Sequence, residues 1–273
     1  MDLTALVEHA LAEDIGPGDV TTDSCVPEDA QGEGVIDAGA DLVVSGQLAA
    51  AEVFRQLSAR YEAVASDGAH VTPGTVIGRA SGPLRSLLTG ERLALNFLMH
   101  LSGIATQTSR VVQGAGALRV VDTRKTTPLL RALEKAAVVH GGGHNHRFAL
   151  YDAVLIKDNH ITAAGGVRAA ISATRQAASG LDIQVEVETL DQLREAIDAG
   201  ADAVLLDNMN NDQLAAAIAV AGGRVMVEAS GNMNAERIAS LQHHGLDRVS
   251  MGGLIHQARW VDLSMTLQAR PTP

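Results

Sequence analysis

The 273-residue chain is 46% apolar and 19% charged, a composition that fills a core and argues against disorder. A net charge of −11 and an aromatic content of 2% exclude a basic nucleic-acid footprint and a base-stacking platform. The lone Cys25, the acidic opening MDLTALVEHALAEDIG and the lack of any apolar run near the roughly 20 residues of a membrane span predict a soluble, cytoplasmic protein without disulfides.

The chain opens with an amphipathic helix, Leu3 to Leu11. Turn-rich sequence follows, where Gly16, Pro17 and Gly18 break any helix. Apolar runs at Gly34–Ile36, Leu42–Val44 and Val76–Ile77 predict short strands. AAAEVFRQL between them predicts a helix, and Asp67–Gly68 and Pro73–Gly74 predict turns. A longer helix is predicted from Thr89 to about Val112, with Leu93, Asn96, Phe97, His100, Leu101 and Ile104 on one face. Residues 1–110 thus read as a small α+β domain.

From residue 111 the pattern alternates. Apolar runs suited to buried parallel strands are Leu118–Val121, Ala153–Ile156, Ile183–Val187, Ala203–Leu206, Arg224–Val227 and Arg248–Met251. Helical patterns separate them: Leu129–Val139, Gly165–Ala178, Leu190–Ala199, Asn211–Ala221 and Ala235–His243. Such alternation means a parallel sheet, either doubly wound or a barrel. No GxGxxG follows the first strand, which weakens a dinucleotide-binding reading. Only six strands are legible, so a barrel would be incomplete. Polar residues converge at the strand ends: Asp122, Lys157 and Asp158, Glu186 and Glu188, Asp207, Glu228 and Ser230, and Ser250 with Gly252 and Gly253.

Lysine marks one region. The only three lysines are Lys125, Lys135 and Lys157, and codon bias toward Arg accounts for that pattern equally well. Within this stretch, DTRKTTP (Asp122 to Pro128) places two adjacent cations and three hydroxyls before a helix whose first residue would be Pro128. Arg offers a planar fork and Lys a point charge for a carboxylate or phosphate. The bland alternative is a solvated loop with a capping Thr. HGGGHNHR (His140 to Arg147) is read in two ways: His144 and His146 as an HxH metal pair, or His146 with Arg147 facing an anion. The second is favoured, because His243 and His244 fall on a predicted helix and supply no further ligands. Lys157 closes an apolar strand and points into the rim. Glu186 and Glu188 would share a strand face, and Glu186 and Asp207 would both reach the rim. Ribose contacts, Mg²⁺ through water and charge balance are equally open for these carboxylates. EASGNMN and SMGGL, at the last two strand ends, suit a phosphate.

In this order and spacing, DTRKTTP, GGGHNHRF, DAVLIKDNHI, VEVET, LLDN, EASG and SMGGL closely resemble the quinolinate phosphoribosyltransferase family, the carboxylating nicotinate-nucleotide pyrophosphorylases of de novo NAD synthesis. EDIGPGDVTT and GERLALNFLMHLSGIAT extend the resemblance over nearly the whole chain. Ala136 stands where the family often has an aromatic residue and Ala149 where Gly is usual, departures that bear on local packing.

The resemblance implies an incomplete, TIM-like α/β barrel (111–256) with an N-terminal α+β domain (1–110) joined by the C-terminal segment 257–273. It implies a homodimer, or a higher homo-oligomer, in which Arg92 enters the partner's site. Arg124, Lys125, His146, Arg147 and Lys157, with Thr123, would line the pocket for quinolinate and the pyrophosphate of phosphoribosyl pyrophosphate. Glu186 and Asp207 would bind ribose hydroxyls and the Mg²⁺ carried with the diphosphate. Ser230, Gly231, Asn232, Met251, Gly252 and Gly253 would hold the 5′-phosphate. No organic cofactor, nucleic acid or membrane is implied. Three other readings are a metal-dependent barrel hydrolase built on His144 and His146, a diverged relative such as the molybdenum-locus paralogue, and a phosphometabolite-binding regulator. The paralogue typically lacks the LIKDNH segment, which is intact here.

Overall fold

In the computed structural model, which describes residues 2–177 and 180–269, the chain begins with α1 (Leu3–Ile15), α2 (Val20–Cys25), β1 (Gln31–Ala38), β2 (Leu42–Val43) and α3 (Gln47–Gln56). Then come β3 (Arg60–Ala63), β4 (His70–Val71), β5 (Val76–Pro83), α4 (Leu84–Ala115), β6 (Arg119–Val121), α5 (Arg131–His140) and β7 (Val154–Ile156). After these follow α6 (Asp158–Ala164), α7 (Val167–Ala177), β8 (Ile183–Val187), α8 (Leu190–Asp198), β9 (Ala203–Asp207) and α9 (Asn211–Ala221). The last are β10 (Met226–Ser230), α10 (Ala235–Leu241), β11 (Arg248–Ser250), α11 (Gly253–His256) and β12 (Leu263–Ala269). These fall into two compact units, one of residues 1–109, 126–142 and 257–273, the other of 110–125 and 143–256. Residues 126–142, counted with the second domain in the sequence reading, thus fall in the first unit. The reason is apolar: Leu130 and Leu133 pack against that unit's core.

The first unit is built on an antiparallel sheet in the order β12-β1-β5-β3. Alternation along β1 buries Gly32, Gly34, Ile36 and Ala38 on one face. Against them lie Val7 and Leu11 of α1, Val53 and Phe54 of α3, and Leu87, Leu95 and Leu98 of α4. The core is aliphatic apart from Phe54, buried and stacked on Tyr61, and Phe97. Gly16, at positive φ, ends α1, four residues beyond the predicted stop. The segment after Pro17 is not all turn: Asp19 accepts the Thr22 N–H and starts α2.

The second unit carries six parallel strands in the order β6-β11-β10-β9-β8-β7. Strands β7 to β11 are neighbours in chain order, and the first strand lies beside the last. A doubly wound sheet would reverse its order at a switch point; this one does not, so the architecture is an α/β barrel. No pairing joins β6 to β7 among the described residues, and a single parallel bridge, Val121 to His144, extends the β6 side. The barrel is therefore incomplete, as expected. Strands β8 and β9 are buried along most of their length, as covered parallel strands require. Helix starts are set by caps: Thr189 with Gln192 for α8, Asn210 with Gln213 for α9, and Asn234 for α10.

Four local expectations need correction. Pro128 is not the first residue of a helix; it lies in a turn and α5 starts at Arg131. Glu188 lies beyond β8, and its N–H is taken by the Gln192 side chain. His243 and His244 follow α10 rather than lying on it. The strand predicted at Arg224–Val227 begins at Met226, because Arg224 caps the carbonyls at the end of α9, donating to Val220 O. That shift brings Glu228 and Ser230 into β10.

Candidate active site

The strand ends of the second unit bring the expected residues together in three groups. The first is Lys157 with Glu186. Strands β7 and β8 pair with Ile156 opposite Val185, so the next residue along, Lys157, falls beside Glu186. The Lys157 ammonium donates to the Glu186 carboxylate at 2.6 Å. Helix α6 begins directly after Lys157, whose N–H is accepted by His160 Nδ1 at 3.0 Å. That anchor ends the strand and fixes where the lysine stem leaves it.

The second group is cationic. Burial and the neighbouring Arg124 charge hold the Arg147 guanidinium below its ordinary value, against a smaller opposite pull from Asp152. Arg147 also donates to Ala153 O at 3.2 Å. The Nε of Arg124 is buried with no hydrogen-bond partner among the described residues. Two guanidinium groups that repel each other, one with an unmet donor, have the chemistry to take an anion. Lys125 is exposed beside them, with its N–H on Thr123 Oγ1 at 3.1 Å. A Cβ on Gly252 would lie 2.9 Å from the Lys125 stem and 3.2 Å from Thr123 Oγ1 and His256 Nε2. A side chain at Gly252 would therefore push the lysine stem aside.

The third group lies at the ends of β9, β10 and β11. The Asp207 carboxylate accepts from Asn208 Nδ2 at 2.6 Å. Asn208 stands at positive φ, donates its N–H to Ser230 O at 3.1 Å, and accepts from Asn232 Nδ2 at 3.1 Å. Gly231, with φ of 91°, lies so close that a Cβ would sit 2.2 Å from Asn208 Oδ1. Asn208 thus ties Asp207, Ser230 and Asn232 into one hydrogen-bonded rim, with Gly231 packed against it. Met251 is buried and donates its N–H to Val121 O, and Gly253 is buried beside it at the start of α11.

His146 is placed differently from the other pocket residues. Its N–H donates to the fully buried Asp122 carboxylate at 2.8 Å, and its Nδ1 accepts the Arg147 N–H at 2.7 Å. With Nδ1 accepting, the hydrogen of the neutral ring belongs on Nε2, 3.1 Å from Gln184 Oε1 and 3.4 Å from Glu228 Oε2. Burial would raise the Glu228 carboxyl, but hydrogen bonding from His146, the Arg248 charge and the Ser250 hydroxyl pull it down to about 2. Glu228 is therefore ionised. The His144 side chain is exposed, and its backbone pairs with Val120 and Asp122. Among the described residues no three His, Cys, Asp or Glu side chains are grouped to hold a metal, so the HxH reading has no ligand set. Arg92 lies exposed on α4, in the first unit.

Sequence reasoning missed Asn208, Gln184, Arg248 and His256 as parts of the site. The first was visible as the Asn following a strand-end Asp, a residue type that tolerates positive φ. The others become recognisable only through pairing between distant strands.

Comparison with known proteins gives the chain's family. Residues 104–266 match the model of the quinolinate phosphoribosyl transferase C-terminal domain, and residues 19–102 that of the N-terminal domain. The chain is 40% identical over 270 residues to the probable nicotinate-nucleotide pyrophosphorylase (carboxylating) of Bacillus subtilis, covering 97% of this chain and 93% of the relative. It is 42% identical over 269 residues to the protein of the same description from Synechocystis, covering 96% and 91%. The structure of the nicotinate-nucleotide pyrophosphorylase from Francisella tularensis matches with a TM-score of 0.93 at 38% identity, covering 97% of this chain and 96% of that one. On this evidence the chain belongs to the quinolinate phosphoribosyltransferase family.

Proposed function

We infer that this chain is a pentosyltransferase of NAD biosynthesis. It transfers the phosphoribosyl group of phosphoribosyl pyrophosphate to quinolinate with decarboxylation, giving nicotinate mononucleotide, pyrophosphate and CO₂. The observation that carries this reading, beside family membership, is the Arg124–Arg147 pair. Cations that repel each other beside an unmet donor suit a ligand with two carboxylates.

The chemistry follows from the charges. As the C1–diphosphate bond of the ribose breaks, positive charge grows on that carbon, and the Glu186 and Asp207 carboxylates stabilise it. The pyridine nitrogen forms the new bond to C1 and becomes a pyridinium. The adjacent carboxylate then leaves as CO₂, and the electron pair left on the ring carbon is stabilised by the pyridinium until a proton replaces it. The reaction needs no organic cofactor, because the substrate ring is its own electron sink.

We assign Arg124, Arg147, Lys125, Thr123 and Lys157 to the quinolinate carboxylates and the diphosphate. His146 acts there by fixing the Arg147 backbone. Ser230, Gly231, Asn232, Met251, Gly252 and Gly253 take the 5′-phosphate. Mg²⁺ enters with the diphosphate. Glu186 and Asp207 suit it, since this ion takes one or two protein carboxylates together with phosphate oxygens and water. Arg92, exposed on α4, is given to the site of a second copy in a homodimer. No helix among the described residues is long and apolar enough to cross a membrane, and with Cys25 as the one cysteine we place the enzyme in the cytoplasm.

Incubation with quinolinate, phosphoribosyl pyrophosphate and Mg²⁺ tests the reading. Equimolar nicotinate mononucleotide and CO₂ are expected; folded protein that yields neither overturns it.

A further inference from the structure

Directly beneath the rim lies a polar layer that the reaction itself does not call for. Side chains two apart on a strand share a face, so Gln184 lies one layer below Glu186, and Glu228 one layer below Ser230. Arg248 on β11 is the in-register partner of Glu228 on β10. The Arg248 Nε donates to Glu228 Oε2 at 2.5 Å, and its Nη2 donates to Gln184 Oε1 at 3.1 Å and stands 3.4 Å from His146 Nε2. Glu228 is fully buried and ionised, and Gln184 is buried. This part of a barrel is ordinarily filled by branched apolar side chains. A buried ion pair there carries a desolvation cost that apolar packing avoids.

The geometry points to Arg248 as a positioning residue for binding of the anionic pyridine substrate. It acts in two ways. It cancels the Glu228 charge, which alone would repel a dicarboxylate lying against Arg147. It also fixes Gln184, whose Oε1 accepts from both Arg248 and His146 Nε2, and so holds the His146 ring, whose Nδ1 takes the Arg147 N–H. The inference rests on the assignment of Arg147 to quinolinate above.

The test is a charge series: Arg248→Met, Glu228→Gln and the double variant, each assayed by varying one substrate at a time. Arg248→Met leaves an uncompensated anion, and it raises the KM for quinolinate about tenfold while kcat and the KM for phosphoribosyl pyrophosphate stay within about twofold. Glu228→Gln leaves a cation and does not raise the KM for quinolinate. The double variant returns it toward wild type. A merely structural pair would not give this dependence on the sign of charge, or on one substrate. The proposal is overturned if Arg248→Met leaves the KM for quinolinate unchanged, if both KM values rise together, or if the double variant is no better than Arg248→Met. Should Arg248→Met fail to fold, Glu228→Gln decides alone: a raised KM for quinolinate overturns the proposal, and an equal or lower one supports it. Inactive wild-type protein would instead defeat the functional reading itself.

Discussion

Lys157, just past the end of β7, and Glu186 on the adjacent strand β8 meet at 2.6 Å with the lysine side chain 45% exposed. An ion pair so open to water adds little to stability, on the order of 0–1 kcal/mol. Its value lies in pointing both groups at the rim. Lys157→Met is expected to leave the melting temperature nearly unchanged while kcat/KM falls about a hundredfold or more. Thermal unfolding and steady-state assays on one preparation check both halves. A large loss of stability with modest loss of activity would reverse the assignment.

The proposed assignment of Arg92 to a partner's site predicts complementation. Arg92→Ala and Lys157→Ala should each abolish turnover, and a mixture of the two should regain part of it once subunits exchange. Exchange is followed with tagged subunits. Mixed dimers without activity would show that Arg92 serves no partner.

At Gly231 the strain can be assessed from geometry. A Cβ would meet Asn208 Oδ1 at 2.2 Å, and the φ of 91° disfavours any other residue. Gly231→Ala is expected to cost about 1–3 kcal/mol of stability. It should also raise the KM for phosphoribosyl pyrophosphate more than that for quinolinate, because Asn208 also holds Asp207. Chemical denaturation and the two KM values measure these effects.

The depressed Glu228 carboxyl predicts acid sensitivity with a defined sign. Its ordinary value is 4.5 and its folded value about 2. The stabilisation it supplies is complete above its unfolded value and disappears as pH falls through about 2. Urea unfolding of the wild type and of Glu228→Gln should therefore differ most at neutral pH, and the difference should shrink on acidification between these limits. A constant difference across that range would contradict this account.

Much of this site could be read from the residues alone, for a physical reason. Lys157 and Asp207 each close an apolar run and Glu186 stands one residue from the end of another, and in a parallel sheet the ends of such runs meet at one rim. What could not be read depends on pairing across long stretches of sequence. Arg248 reads as the polar start of a strand; only its register with Glu228 makes it part of the pocket floor. Pro128 has the local signature of a helix start, yet tertiary packing decides otherwise. Thr127 N–H is held by Glu134, and Leu130 with Leu133 is drawn into the first unit's core, so α5 starts later. Strands β3 and β4, of four and two residues and mostly exposed, are too short for a pattern of their own to mark them. The partner strands β5 and β2 define them.

The pairing of β1 with β12, from Gly32 opposite Ala269 to Ala38 opposite Leu263, joins segments near opposite ends of the sequence. A ribosome making this chain finishes every strand of the barrel unit before β12 is made. Until then β1 presents an unpaired edge, the kind of surface that recruits other chains. The first unit is thus completed only after the barrel strands, and the nascent protein is open to aggregation along the free edge of β1 until β12 arrives.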